Sequence, residues 1–131
     1  MTLDLDATSY CDHAGLWDRE LAAWMPEAIF DAHVHLGPPE VMGEISPQRR
    51  RVPLCTFTHL RLDQARAWHA QLFPGRRVTG TIAFPFPLRE VDLAGANRYL
   101  IEVMLAAPDV RGFLLAHPTD PAPTRAAWDA A

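Results

Sequence analysis

The sequence predicts an α/β fold in which parallel strands alternate with helices, and three observations carry that prediction. Runs at 29–36, 78–84 and 111–117 have the apolar or alternating character of strands, while amphipathic segments at 62–73 and 92–107 lie between them. Turn chemistry closes each run: Gly37-Pro38-Pro39, Pro85-Phe86-Pro87 and Pro118-Thr119-Asp120-Pro121. Strands joined by helical crossovers are parallel, so the three are expected to be neighbours in chain order.

The elements follow in order. Residues 13–25 set Trp17, Leu21 and Trp24 at four- and three-residue spacing, which predicts an amphipathic helix stopped by Pro26, its Trp pair used for packing. Residues 1–28 thus form an N-terminal segment ahead of the first strand, and His13 has no phased partner. In the run 29–36, side chains alternate faces, so Asp31, His33 and His35 are expected on one side and Phe30, Ala32, Val34 and Leu36 on the other. The apolar set would pack on helices. The polar set would face a closed interior, which is costly unless something there needs it. Two imidazoles one pleat apart can reach a single cation, with Asp31 supporting the site from behind the ligands. The alternative is a structural pair satisfied by hydrogen bonds; the in-phase aspartate, the apolar opposite face and the following Gly-Pro-Pro favour the metal.

Gly37–Thr58 is dense in Pro and charge and longer than an ordinary strand–helix connection, so it is either a lid or substrate-contact loop or a surface excursion. Its Glu40, Glu44 and Arg49 are candidate contacts that nothing distinguishes from solvated charges. The helix at 62–73 aligns Leu62, Ala65, Trp68 or His69, and Leu72, and Pro74-Gly75 ends it; His69 is expected to have no catalytic part. Strand 78–84 is apolar enough to be buried on both faces, and Phe84 and Phe86 either wall a pocket for an apolar or aromatic substrate, with Phe84 a candidate substrate contact, or pack in the core. Asp92 is the expected N-cap of a helix to Ala107 that buries Leu93, Leu100 and Met104. His117 closes strand three, where it is a candidate substrate contact or proton relay, whereas Asp120 reads as a turn residue. Residues 124–131 read as the opening of a helix.

Composition excludes several classes. The net charge is −4, and all twelve cations are Arg, with no basic block for nucleic acid; Arg49-Arg50-Arg51 is too short for one. The longest apolar stretch, Tyr99–Ala107, is interrupted by Glu102 and cannot span a membrane. Met1–Asp12 lacks a signal pattern, and Cys11 and Cys55 have no paired spacing, which together predict a cytoplasmic location.

Asp31-Ala32-His33-Val34-His35-Leu36-Gly37 resembles the first-strand signature of the amidohydrolase superfamily, in its amidohydrolase-2 (amidohydrolase-related) branch. Thr79–Pro87 is similar to that family's second strand, and Asp92–Asp120 to its passage of helix, Ala-Pro-Asp, strand and Pro-x-Asp. The resemblance implies a partial (β/α)8 TIM barrel, about the first three strand–helix units over 29–131, with the N-terminal helix beneath it. A full barrel needs about 250 residues, so the chain of 131 residues is expected to be the N-terminal part of such an enzyme and inactive alone. The resemblance further implies a divalent metal, zinc foremost and one or two ions in the parent, with His33 and His35 as ligands and Asp31 behind them. The remaining ligands and the general base would lie outside the chain, and the catalytic residue is unassigned. The implied reaction is hydrolysis of a C–N or C–O bond in a small-molecule substrate by metal-activated water. The alternatives are a non-oxidative decarboxylase of the same superfamily, a phosphoesterase- or deoxyribonuclease-type metal hydrolase, and a non-catalytic assembly module. The last would use open strand edges to form a homo-oligomer.

Overall fold

The computed structural model describes residues 13–52, 55, 57–119 and 122–129. Its centre is a three-stranded parallel sheet of β1 (Ala28–His35), β2 (Arg77–Phe84) and β3 (Val110–Gly112), in the order β1-β2-β3. Helix α2 (Leu62–Leu72) joins β1 to β2, α3 (Leu93–Ala106) joins β2 to β3, and α4 (Ala122–Asp129) follows. The expected parallel neighbours in chain order are therefore present. Cys11, Asp120 and the extreme N-terminus, all singled out in the sequence, lie outside the described residues.

The core lies on one face of the sheet. Val34, Leu36, Ala83 and Val110 pack with Ala65 of α2 and with Leu100 and Val103 of α3. Apolar burial of this kind is worth about 25 cal/mol per Å² of surface removed from water. Helix α2 begins where the Gln64 side chain accepts the Arg61 N–H, and it ends before Pro74 and Gly75, whose φ of 72° suits a residue without Cβ. Asp92 caps α3 as expected, its carboxylate accepting the Gly95 N–H. The buried stripe of α3 is Ala96, Asn97, Leu100, Ile101 and Val103, with Leu93 and Met104 only half-buried.

Several expectations are corrected. The N-terminal helix is α-helical only over His13–Leu16 (α1) and widens to a π-turn over Trp17–Leu21. The wider turn breaks the four-and-three spacing, so Trp17 is buried against Phe73 and beneath the Arg76 guanidinium, while Trp24 is 67% exposed. Strand β3 stops at Gly112 instead of reaching His117. The Phe113 N–H still bonds the Ala83 carbonyl, but Pro85 has no N–H to continue the ladder, and the backbone of Leu115 is held instead by the Asn97 side chain. Among the described residues strand β2 is covered on one face only; Ile82 and Phe84 are half-buried on the other, where Phe30 and Phe113 are 53% and 64% exposed.

The described residues of the long segment after β1 are tied to the rest of the chain. Gly37 and Leu60 exchange both backbone hydrogen bonds at its base, Gly43 N–H bonds the Glu90 carbonyl, and Asp92 N–H bonds the Val41 carbonyl. Ile45, Cys55 and Leu60 enter the core. This segment and the loop after β2 therefore form one layer at the carboxyl ends of the strands. No helix among the described residues is long and apolar enough to cross a membrane.

Candidate functional site

The site begins with an irregularity in β1. Asp31 pairs with Thr81 and Val34 with Ala83, so β1 takes three residue steps where β2 takes two. That is a β-bulge, and one extra residue inverts the phase of everything after it. Thr81 and Ala83 share a face of β2, hence Asp31 and Val34 share the corresponding face of β1. Phe30 and His35, opposite Gly80 and Phe84, share the other. The expected in-phase trio is thereby corrected: Asp31 faces α2, whereas His33 and His35 lie on the uncovered face with Phe30, and Ala32 in the bulge is exposed.

The bulge leaves the two imidazoles converging. Their Nε2 atoms are 3.3 Å apart and their rings stand nearly perpendicular, 83° with centroids 5.1 Å apart. Two nitrogens bound at 2.0–2.1 Å to a tetrahedral ion sit roughly 3.3–3.4 Å apart, so the spacing suits zinc. His35 Nδ1 is 3.1 Å from the Pro85 carbonyl. A carbonyl only accepts, so Nδ1 carries the proton and Nε2 keeps its lone pair, the tautomer a metal ligand requires. The contact itself is a hydrogen bond donated by His33 Nε2 to His35 Nε2.

Aromatic rings fix both imidazoles. Phe84 meets His33 edge-on at 4.6 Å and His35 at 5.1 Å, and Phe86 stacks on His35 at 5.4 Å. Phe84 thus walls the pair, while Phe86 is a core residue that also touches it. A cavity of about 230 Å³ beside β1 is bordered by Asp31, His33, His35 and His69 together with Phe57 and Trp68. Because β1 is an edge of the described sheet, this cavity reaches residues of both its faces.

His69, expected to be an ordinary helix residue, belongs to this constellation. Its Nε2 is 2.8 Å from Asp31 Oδ2, and Asp31 Oδ1 accepts the His33 backbone N–H at 3.0 Å. The sequence signal was its place on the inward face of α2, where Trp68 competes for the same stripe.

The other candidates are placed elsewhere. His117 is exposed and five residues beyond β3, its Nδ1 engaged by the Thr119 hydroxyl and N–H. Glu40 forms a two-oxygen ion pair with Arg61, and Glu44 is exposed. Arg49 pairs with Glu90, whose carboxyl the guanidinium draws down to about 2. Among the described residues no group of three or more His, Cys, Asp or Glu is placed to hold an ion. Compared with protein-family models, with curated proteins and with solved structures, the chain matches none, so its reading rests on the geometry of the site itself.

Proposed function

We propose that this chain forms part of a metal-dependent hydrolase of the amidohydrolase kind, built as a (β/α)8 barrel, in which His33 and His35 hold a divalent metal, zinc foremost. The observation that carries the reading is the 3.3 Å approach of the two Nε2 atoms, with His35 held in the ligand tautomer by Pro85. Three parallel strands in chain order, each pair joined by a helix, agree with the opening of such a barrel. The metal, when bound, supplies a water of lowered pKa and polarises a substrate carbonyl. His33 and His35 contribute two neutral donors, which with water in the ion's remaining positions are enough to bind zinc in this chain; the general base and any further ligands lie outside the described residues. Phe84 and Phe86 exclude water from one side of the imidazoles and orient them. The apolar Phe57, Trp68 and Phe86 border of the cavity suits a small organic substrate better than a phosphoester, which would call for cationic side chains there.

Equilibrium zinc binding to the purified chain tests this. Binding is expected for the native sequence, a loss for His33→Ala and for His35→Ala, and no change for His117→Ala. Undiminished zinc affinity in a His33→Ala/His35→Ala double variant would refute the proposal.

A further inference from the structure

We infer that His69 is a positioning residue for the imidazole pair, acting through Asp31 to hold the bulge that brings His33 and His35 together. The inference rests on the metal reading for its functional meaning, though not for its structural content.

A bulge releases a backbone N–H from the ladder, and a released donor must find another acceptor. The His33 N–H finds Asp31 Oδ1, two residues back at 3.0 Å. Such a short loop between a carboxylate and its own backbone constrains the chain only while the carboxylate is itself held. His69 holds it: Nε2–H donates to the second oxygen, Oδ2, at 2.8 Å, and the histidine side chain is only 11% exposed. Asp31 thus spans the strand and the helix, with one oxygen on each. His69 is in turn anchored in the third turn of α2 and lies at 6.3 Å, ring to ring, from Phe73.

The energetic consequence concerns register. Without the bulge, the pairing would shift by one residue beyond Asp31, and a one-residue shift exchanges the faces of all following side chains. His33 and His35 would turn toward α2 and Val34 toward the uncovered face. The apolar Val34 and Leu36 oppose that exchange, but they do not determine where the extra residue sits. The Asp31–His69 bond does, because it pins residue 31 to the helix face immediately before the bulge. On this inference His69 matters to the site, whereas the sequence alone suggested that it does not.

The test uses the full 131-residue chain and zinc alone. His69→Leu keeps an apolar side chain on the helix and removes the donor, whereas His69→Gln restores an N–H of similar reach. In metal-free NMR spectra, the His33 and His35 rings should separate in His69→Leu and stay together in His69→Gln, with circular dichroism reporting that both variants are folded. Zinc affinity should fall roughly tenfold to a hundredfold in His69→Leu, the range for removing a group that supports a ligand, and recover in His69→Gln. Rings that remain together in folded His69→Leu overturn the inference. Rings that separate in His69→Leu, when the native chain binds no zinc, uphold the positioning role and remove the metal reading instead. If His69→Leu does not fold, the comparison passes to His69→Gln and His69→Asn, whose amide is too short to reach; rings equally close in these two also overturn it.

Discussion

Arg49 and Glu90 meet through two parallel hydrogen bonds, Nε to Oε1 at 2.8 Å and Nη2 to Oε2 at 3.0 Å, and so tie the long segment after β1 to the loop after β2. Arg89 adds a third donor to Glu90 Oε1 at 2.9 Å. The pairing lowers the Glu90 carboxyl from 4.5 to about 2 in the folded chain. A depressed folded value means that the group stabilises the fold above its unfolded pKa and loses that contribution as pH falls through the folded one. The denaturant midpoint should therefore decline between about pH 4.5 and 2, in the same direction as the smaller effect of Asp109, held down by Arg66. Glu90→Gln should be less stable at pH 7 and show a shallower decline. An equally steep decline in the variant would mean that other carboxylates govern acid unfolding.

Gly43 is needed where it stands because of its neighbour's backbone. A Cβ there would lie 2.8 Å from the Glu90 carbonyl oxygen, the atom that accepts the Gly43 N–H. Gly43→Ala should cost roughly 1–3 kcal/mol, as overpacking does, and should speed hydrogen exchange at the Gly43 and Asp92 amides. Unchanged exchange would show that the segment yields without breaking its tether.

Asn97 is 1% exposed and bonds both backbone groups of Leu115, N–H to Oδ1 at 2.9 Å and Nδ2 to the carbonyl at 2.8 Å. It substitutes for a strand partner beyond the end of β3. Asn97→Leu leaves the Leu115 N–H without that acceptor, and a buried unmet group costs about 1–3 kcal/mol. Thr124, whose hydroxyl also reaches the Leu115 carbonyl at 2.6 Å, should limit the loss on that side. Urea unfolding of the variant provides the measurement, with a destabilisation well below about 1 kcal/mol as the contrary result.

The uncovered sheet face is the surface expected to drive self-association. Phe30 and Phe113 are more than half exposed there, and Phe113 stacks on Phe84 at 6.4 Å. Apolar faces of this kind drive association. Phe30→Thr/Phe113→Thr should reduce concentration-dependent self-association in sedimentation without lowering the melting temperature, since neither side chain lies in the core. Persistent association would shift attention to the open strand edges.

The local signals in the sequence translated directly into structure. Pro74-Gly75 ends a helix, Asp92 starts one, and the spacing of three apolar runs places three parallel strands, because capping, turn conformation and periodicity act over a few residues. The nearness of His33 to His35 was legible for the same reason: they are two residues apart on one strand. The partners of these residues were not legible. Whether Asp31 faces the histidines or the helix depends on an extra residue in β1, which exists only relative to β2, some fifty residues away. His69 acquires its role from that same bulge, Asn97 from the end of a ladder at Pro85, and Trp17 and Trp24 part company over a π-turn that the Arg76 guanidinium helps to hold. The sequence by itself determined which segments become strands and helices and that two imidazoles would lie side by side. The tertiary structure alone decided that Asp31 leaves their face for the helix and what holds the pair in place, because strand register is a property of two strands and not of one.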